Sequence, residues 1–176
     1  MSSDTWRGNR GKAGSNGNVW SREKIVSLNI VAAIPDDLDG LLALERGCFP
    51  DADWFPRRSW KRLLARPTSV VLVIRDGGRV MAAVVGLLRA NSKICRVYSL
   101  AVDPSLRGRG VGGALIHALA QHVKPARTDL SLEVRADNPA RGLYEKLGFT
   151  HISALPGYYP DGADGVRLRT RIADLR

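Results

Sequence analysis

Between Val97 and Val123 the chain carries the run Arg107-Gly108-Arg109-Gly110-Val111-Gly112-Gly113, with an apolar segment before it and an amphipathic one after it. The glycines Gly108, Gly110, Gly112 and Gly113 leave backbone N–H groups uncovered, and Arg107 and Arg109 add positive charge beside them. The first turn of a helix has donors without intrahelical partners and sits at the positive end of the helix dipole, so this run reads as a seat for a phosphate. No Walker lysine follows, which argues against nucleotide hydrolysis, and no acidic residue is clearly placed for a dinucleotide ribose. Downstream, Leu130, Leu132 and Val134 alternate with Ser131, Glu133 and Arg135, which puts the Glu133 carboxylate on the polar face of a strand.

A buried strand over 94–102 must deliver the glycine turn, and a helix must leave it. Val111, Leu115, Leu119 and Val123 give that helix one apolar face, Ala114 and Ala118 allow close approach to a sheet, and Pro125 ends it. Ahead of this unit the sequence predicts a first strand over 25–34 and a helix opened by Pro35-Asp36-Asp37, with Leu38, Leu41 and Leu42 at helical spacing. Phe49-Pro50 and Phe55-Pro56 then bracket a loop holding Asp51, Asp53 and Trp54. A short helix follows with Trp60, Leu63 and Leu64 as its stripe. This aromatic loop reads either as a cleft wall or as core packing. Val70–Ile74 and Val80–Leu88 pair through an Asp76-Gly77-Gly78 turn. After the strand over 129–135, Asn138 caps a helix with Pro139 at its first position, and Gly148 closes it. Two last strands, 149–155 and 166–172, flank a loop with Tyr158 and Tyr159.

With 176 residues, 44% of them hydrophobic and 25% charged, the sequence fits one domain over 25–176 behind a basic tail over 1–24. Trp20 is the one tail residue expected to touch the domain. No apolar run is long enough for a membrane span, and the first 24 residues lack the core of a signal peptide. Cys48 and Cys95 are far apart in apolar surroundings and read as two buried thiols. Neither they nor the three scattered histidines have metal-ligand spacing, so no metal is expected and the cytoplasm is the plain location. The net charge of +10 suits a phosphate-rich cofactor or a polyanion and disfavours a polycationic substrate. The tail reads as a solvated charge run or as an arm for nucleic acid.

Leu100-Ala101-Val102-Asp103-Pro104 followed by Arg107-Gly108-Arg109-Gly110-Val111-Gly112 matches the Gln/Arg-x-x-Gly-x-Gly/Ala signature of the GNAT superfamily of N-acetyltransferases. The span from Asn138 to Phe149, with Leu143-Tyr144-Glu145-Lys146-Leu147-Gly148-Phe149, resembles that family's second cofactor motif. Leu132-Glu133-Val134-Arg135-Ala136 and Tyr158-Tyr159-Pro160 resemble the ribosomal-protein-alanine N-acetyltransferases, which acetylate a protein N-terminus. The resemblance implies an α/β fold of the α+β type, with a mixed central sheet of six to seven strands and four flanking helices.

It also implies acetyl-coenzyme A, with its pyrophosphate on Arg107, Gly108, Arg109, Gly110, Val111, Gly112 and Gly113. The pantetheine arm pairs with the strand edge at Leu100, Ala101 and Val102, and the thioester lies where that strand parts from its neighbour. A backbone N–H at that point stabilises the oxyanion. Acetyl transfer must deprotonate an ammonium and protonate a thiolate. Glu133 is the candidate base, acting through water, with a carboxylate paired to Arg135 as the plainer reading. Tyr144 is the candidate acid, or a packing tyrosine. Asn138 hydrogen-bonds the cofactor arm, caps the helix, or does both. Its distance from Tyr144 is one position short of the family's usual spacing, so either Asp137 takes the cofactor position or the helix start is shortened. Tyr158 and Tyr159 either line the acceptor site or pack in their loop. The implied acceptor is a protein or peptide α-amine, ribosomal proteins included, with a small-molecule amine as the alternative. A non-catalytic acetyl-coenzyme A-binding or ribosome-docking module is the rival outside enzymes.

Overall fold

A computed structural model describes residues 29–176. The predicted basic tail, Trp20 and the first residues of the predicted opening strand lie outside the described residues. Within them runs β1 (Ile30–Ala32), a 3-10 turn (Pro35–Asp37) and α1 (Leu38–Cys48), then a 3-10 turn (Asp51–Asp53) and α2 (Arg57–Ala65). The strands β2 (Ser69–Asp76), β3 (Arg79–Leu88) and β4 (Ile94–Val102) form a meander. The 3-10 turn Pro104–Leu106, α3 (Val111–Val123) and β5 (Asp129–Arg135) follow, then α4 (Arg141–Lys146), β6 (Thr150–Leu155) and β7 (Gly165–Arg171).

The strands build one mixed sheet in the order β1-β2-β3-β4-β5-β7-β6. This is the α/β architecture expected, with seven strands and four α-helices among the described residues. All pairings are antiparallel except β4 with β5, whose parallel register covers only Ile94↔Asp129, Cys95↔Leu130 and Arg96↔Ser131. Beyond those three pairs β4 stays with β3 while β5 follows β7, so the sheet opens into a split. A bulge in β4 at Tyr98, where Val85 pairs with Ser99 but Gly86 with Val97, adds to the bend.

Two cores lie on opposite faces. Helix α3 brings Val111, Leu115, Ile116, Leu119 and Val123 onto Leu130, Leu132, Cys95 and Leu168, and Tyr144, Leu147 and Phe149 join this layer. Helices α1 and α2 bury Leu38, Leu41, Leu44, Trp60 and Leu63 against Val71, Val73, Val85 and Ala101. Gly86 gives α3 room to pack on β3. A Cβ there would lie 2.8 Å from Leu119 and 2.9 Å from the Cys95 sulfur.

The structure corrects several expectations. The α-helix starts at Leu38 rather than Pro35, because Asp37 turns inward. It lies 6% exposed, accepting from the Ile34 N–H at 2.7 Å and from Arg75 Nε at 2.6 Å. Leu44 rather than Leu42 completes the buried stripe of α1. The helix near Pro139 begins only at Arg141. Asn138 Oδ1 accepts from the Ala140 N–H at 2.8 Å and holds 138–140 as a turn. Cys95 is buried, with its thiol pushed up to about 11 by burial, whereas Cys48 is half-buried.

Candidate active site

The glycine turn stands at the C-terminal end of β4. Asp103 Oδ1 accepts from the Ser105 N–H at 2.9 Å and from its hydroxyl at 2.6 Å, and Arg107 Nε donates to the Val102 carbonyl at 3.1 Å. Gly108 and Gly110 hold φ of +73° and +80°, with open space where a Cβ would point. An L side chain is strained at those angles, so glycine is what lets the chain turn into α3 here. The first intrahelical bond of α3 runs from the Ala114 N–H to the Gly110 carbonyl, so the N–H groups of Val111, Gly112 and Gly113 precede it. Gly112 also admits α4, since a Cβ on it would lie 3.1 Å from Leu143. Leu100, Ala101 and Val102 form the β4 segment that leads from the split to this turn, past the last pair with β5.

Glu133 lies two residues along β5 past its last pair with β4. Its side chain is 8% exposed and its two oxygens accept from Arg96 Nε at 2.6 Å and from Arg167 Nε at 3.0 Å. The pairing with Arg135 entertained from sequence is not the one formed. Arg135 instead reaches Asp161 and lies 4.7 Å over the Tyr159 ring. Tyr144 on α4 is 7% exposed and meets Phe149 edge-on at 5.7 Å. Burial, with a smaller contribution from Tyr159, pushes its phenol up to about 12. Tyr159 is within electrostatic reach of both Tyr144 and Glu133, and Asp53 also acts on it. Burial raises the Tyr159 phenol too, while Arg135 opposes that. Tyr158 meets Tyr159 edge-on at 5.2 Å and its hydroxyl accepts from Arg96 at 3.2 Å.

The structure therefore links Glu133 and Tyr158 through Arg96, sets Tyr159 against Tyr158 and within electrostatic reach of Glu133 and Tyr144, and leaves 107–113 beyond the C-terminal end of β4. Asn138 acts locally as a turn cap through Oδ1, and Asp137 is exposed and 3.8 Å from Arg135.

Sequence reasoning missed Arg96, Arg167, Tyr98 and Glu45. Arg96 and Arg167 hold Glu133, and their alternation within β4 and β7 was readable, but their pairing needs the strand order. Phe55, in the aromatic loop that the sequence offers as a cleft wall, stacks on Tyr98 at 5.2 Å with rings 9° apart. Buried Glu45 fixes that loop, accepting from the Trp60 indole at 2.8 Å and from the Phe55 N–H at 3.0 Å. A glutamate on an apolar helix stripe was the available signal.

Residues 38–149 match the model of the acetyltransferase (GNAT) family. The chain is 32% identical over 135 residues to the N-alpha-acetyltransferase RimI of Mycobacterium tuberculosis, covering 74% of this chain and 84% of that protein. It is 33% identical over 139 residues to an uncharacterized Mycobacterium leprae protein, covering 77% of this chain but only 38% of that longer relative. Its fold superposes on the crystal structure of the ribosomal-protein-S18-alanine N-acetyltransferase from Escherichia coli with a TM-score of 0.72. That match has 26% identity over 82% of this chain and 93% of the other.

Proposed function

We propose that this chain, which belongs to the GNAT acetyltransferase family, uses acetyl-coenzyme A to acetylate the N-terminal α-amine of a protein or peptide in the cytoplasm. The observation that carries the reading is the split. β4 and β5 part after Arg96 and Ser131, with the glycine turn beyond the end of β4, the buried Glu133 carboxylate on β5, and the buried Tyr144 phenol on α4 beside the start of α3.

The residues present fit the cosubstrate. Open space over Gly108 and Gly110 lets a pyrophosphate approach the backbone of 107–113. The β4 segment Leu100–Val102 offers a strand edge to the amide-bearing arm. Bound there, acetyl-coenzyme A supplies an acetyl group activated as a thioester.

The chain's own groups handle the protons. Glu133 takes the proton of the arriving ammonium through a water, while Arg96 and Arg167 fix the carboxylate's direction. Tyr144, neutral across the physiological range because of its burial, gives its proton to the departing sulfur. Asn138 contributes to holding the arm near α4, and Tyr158 and Tyr159 line the acceptor side with Phe55 and Tyr98. The names of the Mycobacterium tuberculosis and Escherichia coli relatives support an N-terminal acceptor, ribosomal proteins included.

The test is a panel of peptides with free N-termini and of small amines, incubated with the protein and acetyl-coenzyme A and read as free thiol release. Turnover on peptide N-termini is expected. Turnover confined to small amines would overturn the acceptor, and tight cosubstrate binding without turnover on any amine would overturn the activity.

A further inference from the structure

On the sheet face opposite α3, a groove of about 500 Å³ begins at Glu133 and Tyr158 and is lined on to Arg89. Its shape follows from strand register. Ser131 on β5 pairs with Arg96 on β4 and with Arg169 on β7. Paired residues share a face on strands about 5 Å apart, so a small serine forms the floor between two arginine walls. The serine hydroxyl turns away into the sheet, donating to the Leu168 carbonyl at 3.1 Å. Two residues further along, Glu133 pairs with Arg167.

Four arginines line this groove against one carboxylate. That carboxylate is shared by Arg96 and Arg167, so the pair of arginines keeps a net positive charge. Asp129 offsets Arg169 at 3.1 Å. Arg89 has no acidic partner among the described residues. Leu87, Ile94 and Ile152 supply apolar walls, which concentrate the field of the charges between them.

Taking the N-terminal acetylation above as its premise, we infer that this groove receives the acceptor segment behind the reacting amine and selects for Asp and Glu within it. An extended chain advances about 3.5 Å per residue. With the amine at Glu133, a side chain about two or three residues later therefore stands level with Arg96 and Arg169. A carboxylate there meets guanidinium donors that match its two oxygens. A lysine or arginine there meets like charge beside apolar walls. The groove thus favours acidic N-terminal segments over basic ones.

The experiment compares peptides identical except at positions two to four, which are Glu/Asp, Gln/Asn or Lys/Arg. Thiol release with the full chain is expected to rank acidic above neutral above basic in kcat/KM. The acidic-to-basic ratio should be about tenfold or more at low salt, reside mainly in KM, and shrink as salt is added. Arg89→Glu and Arg169→Gln should each cut that ratio severalfold, with melting curves to separate loss of folding from loss of selection.

Equal rates, a basic preference, or an acidic preference that survives both substitutions would overturn the inference. So would an RNA oligonucleotide whose binding Arg89→Glu abolishes while the peptide ratio stays unchanged. If no peptide turns over, fluorescence anisotropy of labelled acidic and basic peptides still separates the two ideas. Tighter acidic binding that Arg89→Glu weakens would sustain the groove while the transfer reaction fails.

Discussion

The two sides of the split are built from different materials. On the cosubstrate side, β4, the glycine turn and α3 present backbone, with glycines at φ of +73° and +80° and a helix seated by apolar packing. On the acceptor side, β5, β7 and the α1–α2 loop present charged and aromatic side chains held by one another. Glu133 is held by Arg96 and Arg167, Phe55 lies on Tyr98, and Glu45 holds Phe55 and Trp60. A backbone site recognises what every molecule of the cosubstrate shares. A side-chain site can be retuned, which is how one fold serves many acceptors.

Substitutions that touch the chemistry should spare both sides of this division. Tyr144→Phe removes the proton donor but keeps the ring against Phe149, so kcat should fall about 10³-fold with both KM values little changed. Because the phenol is pushed up to about 12, its ionisation should leave no mark on the rate profile below about pH 10. An alkaline limb near pH 8 that vanishes in Tyr144→Phe would contradict the assignment. Glu133→Gln should lower kcat about 10²-fold, the attack surviving on amines already deprotonated. Its deficit should therefore narrow as pH rises, and a deficit that stays constant would remove Glu133 as the base.

This division also decides what the sequence discloses. The strand–turn–helix arm is local. Its glycines, its apolar stripe from Val111 to Val123 and the segment 129–135 are read from neighbouring residues, and the structure keeps them within a residue or so. The acceptor side depends on which strands become neighbours. Arg96 and Arg167 are far apart in sequence and meet Glu133 only because β5 lies between β4 and β7. The pairing with Arg135 was the local guess, and the register overruled it. The late start of the helix at Arg141 has the same origin. The Asn138 cap was legible, but it stabilises a turn rather than the helix itself.

Glu45→Leu tests the dependence of the acceptor side on its polar struts. It leaves the Phe55 N–H and the Trp60 indole without an acceptor, which should cost about 2 kcal/mol in chemical denaturation. With Phe55 loosened from Tyr98, the peptide KM should rise severalfold while that of acetyl-coenzyme A holds. A parallel rise in both would mean the two sides are not separable. Gly110→Val is the mirror experiment. A β-branched residue at φ of +80° is strained by about 1–2 kcal/mol, and its side chain enters the open space over the turn. Tight binding of acetyl-coenzyme A should weaken about tenfold with the peptide KM unaltered, and an unchanged cosubstrate KM would empty the turn of its role.

The smallest expected effect concerns how the helices over the acceptor side are moored. Asp37 joins the end of β1 and the start of α1 to Arg75 on β2. Burial alone would raise its carboxyl, but the Arg75 guanidinium and the Ile34 N–H outweigh that and hold it below the ordinary value of 3.8. A carboxylate with a lowered folded value stabilises fully above its unfolded value and loses that contribution as pH falls through the folded one. That contribution should therefore fade as pH falls below about 4. Asp37→Asn should be less stable than the parent at neutral pH and should converge with it in acid. The α3 layer is seated by apolar contacts that carry no such proton linkage. Amide exchange in α1 should consequently quicken, relative to α3, as the pH approaches that range in the parent but not in Asp37→Asn. If the two helices loosen in step in both proteins, then the charges around α1 moor the whole sheet, and the contrast between the two sides holds for the site alone.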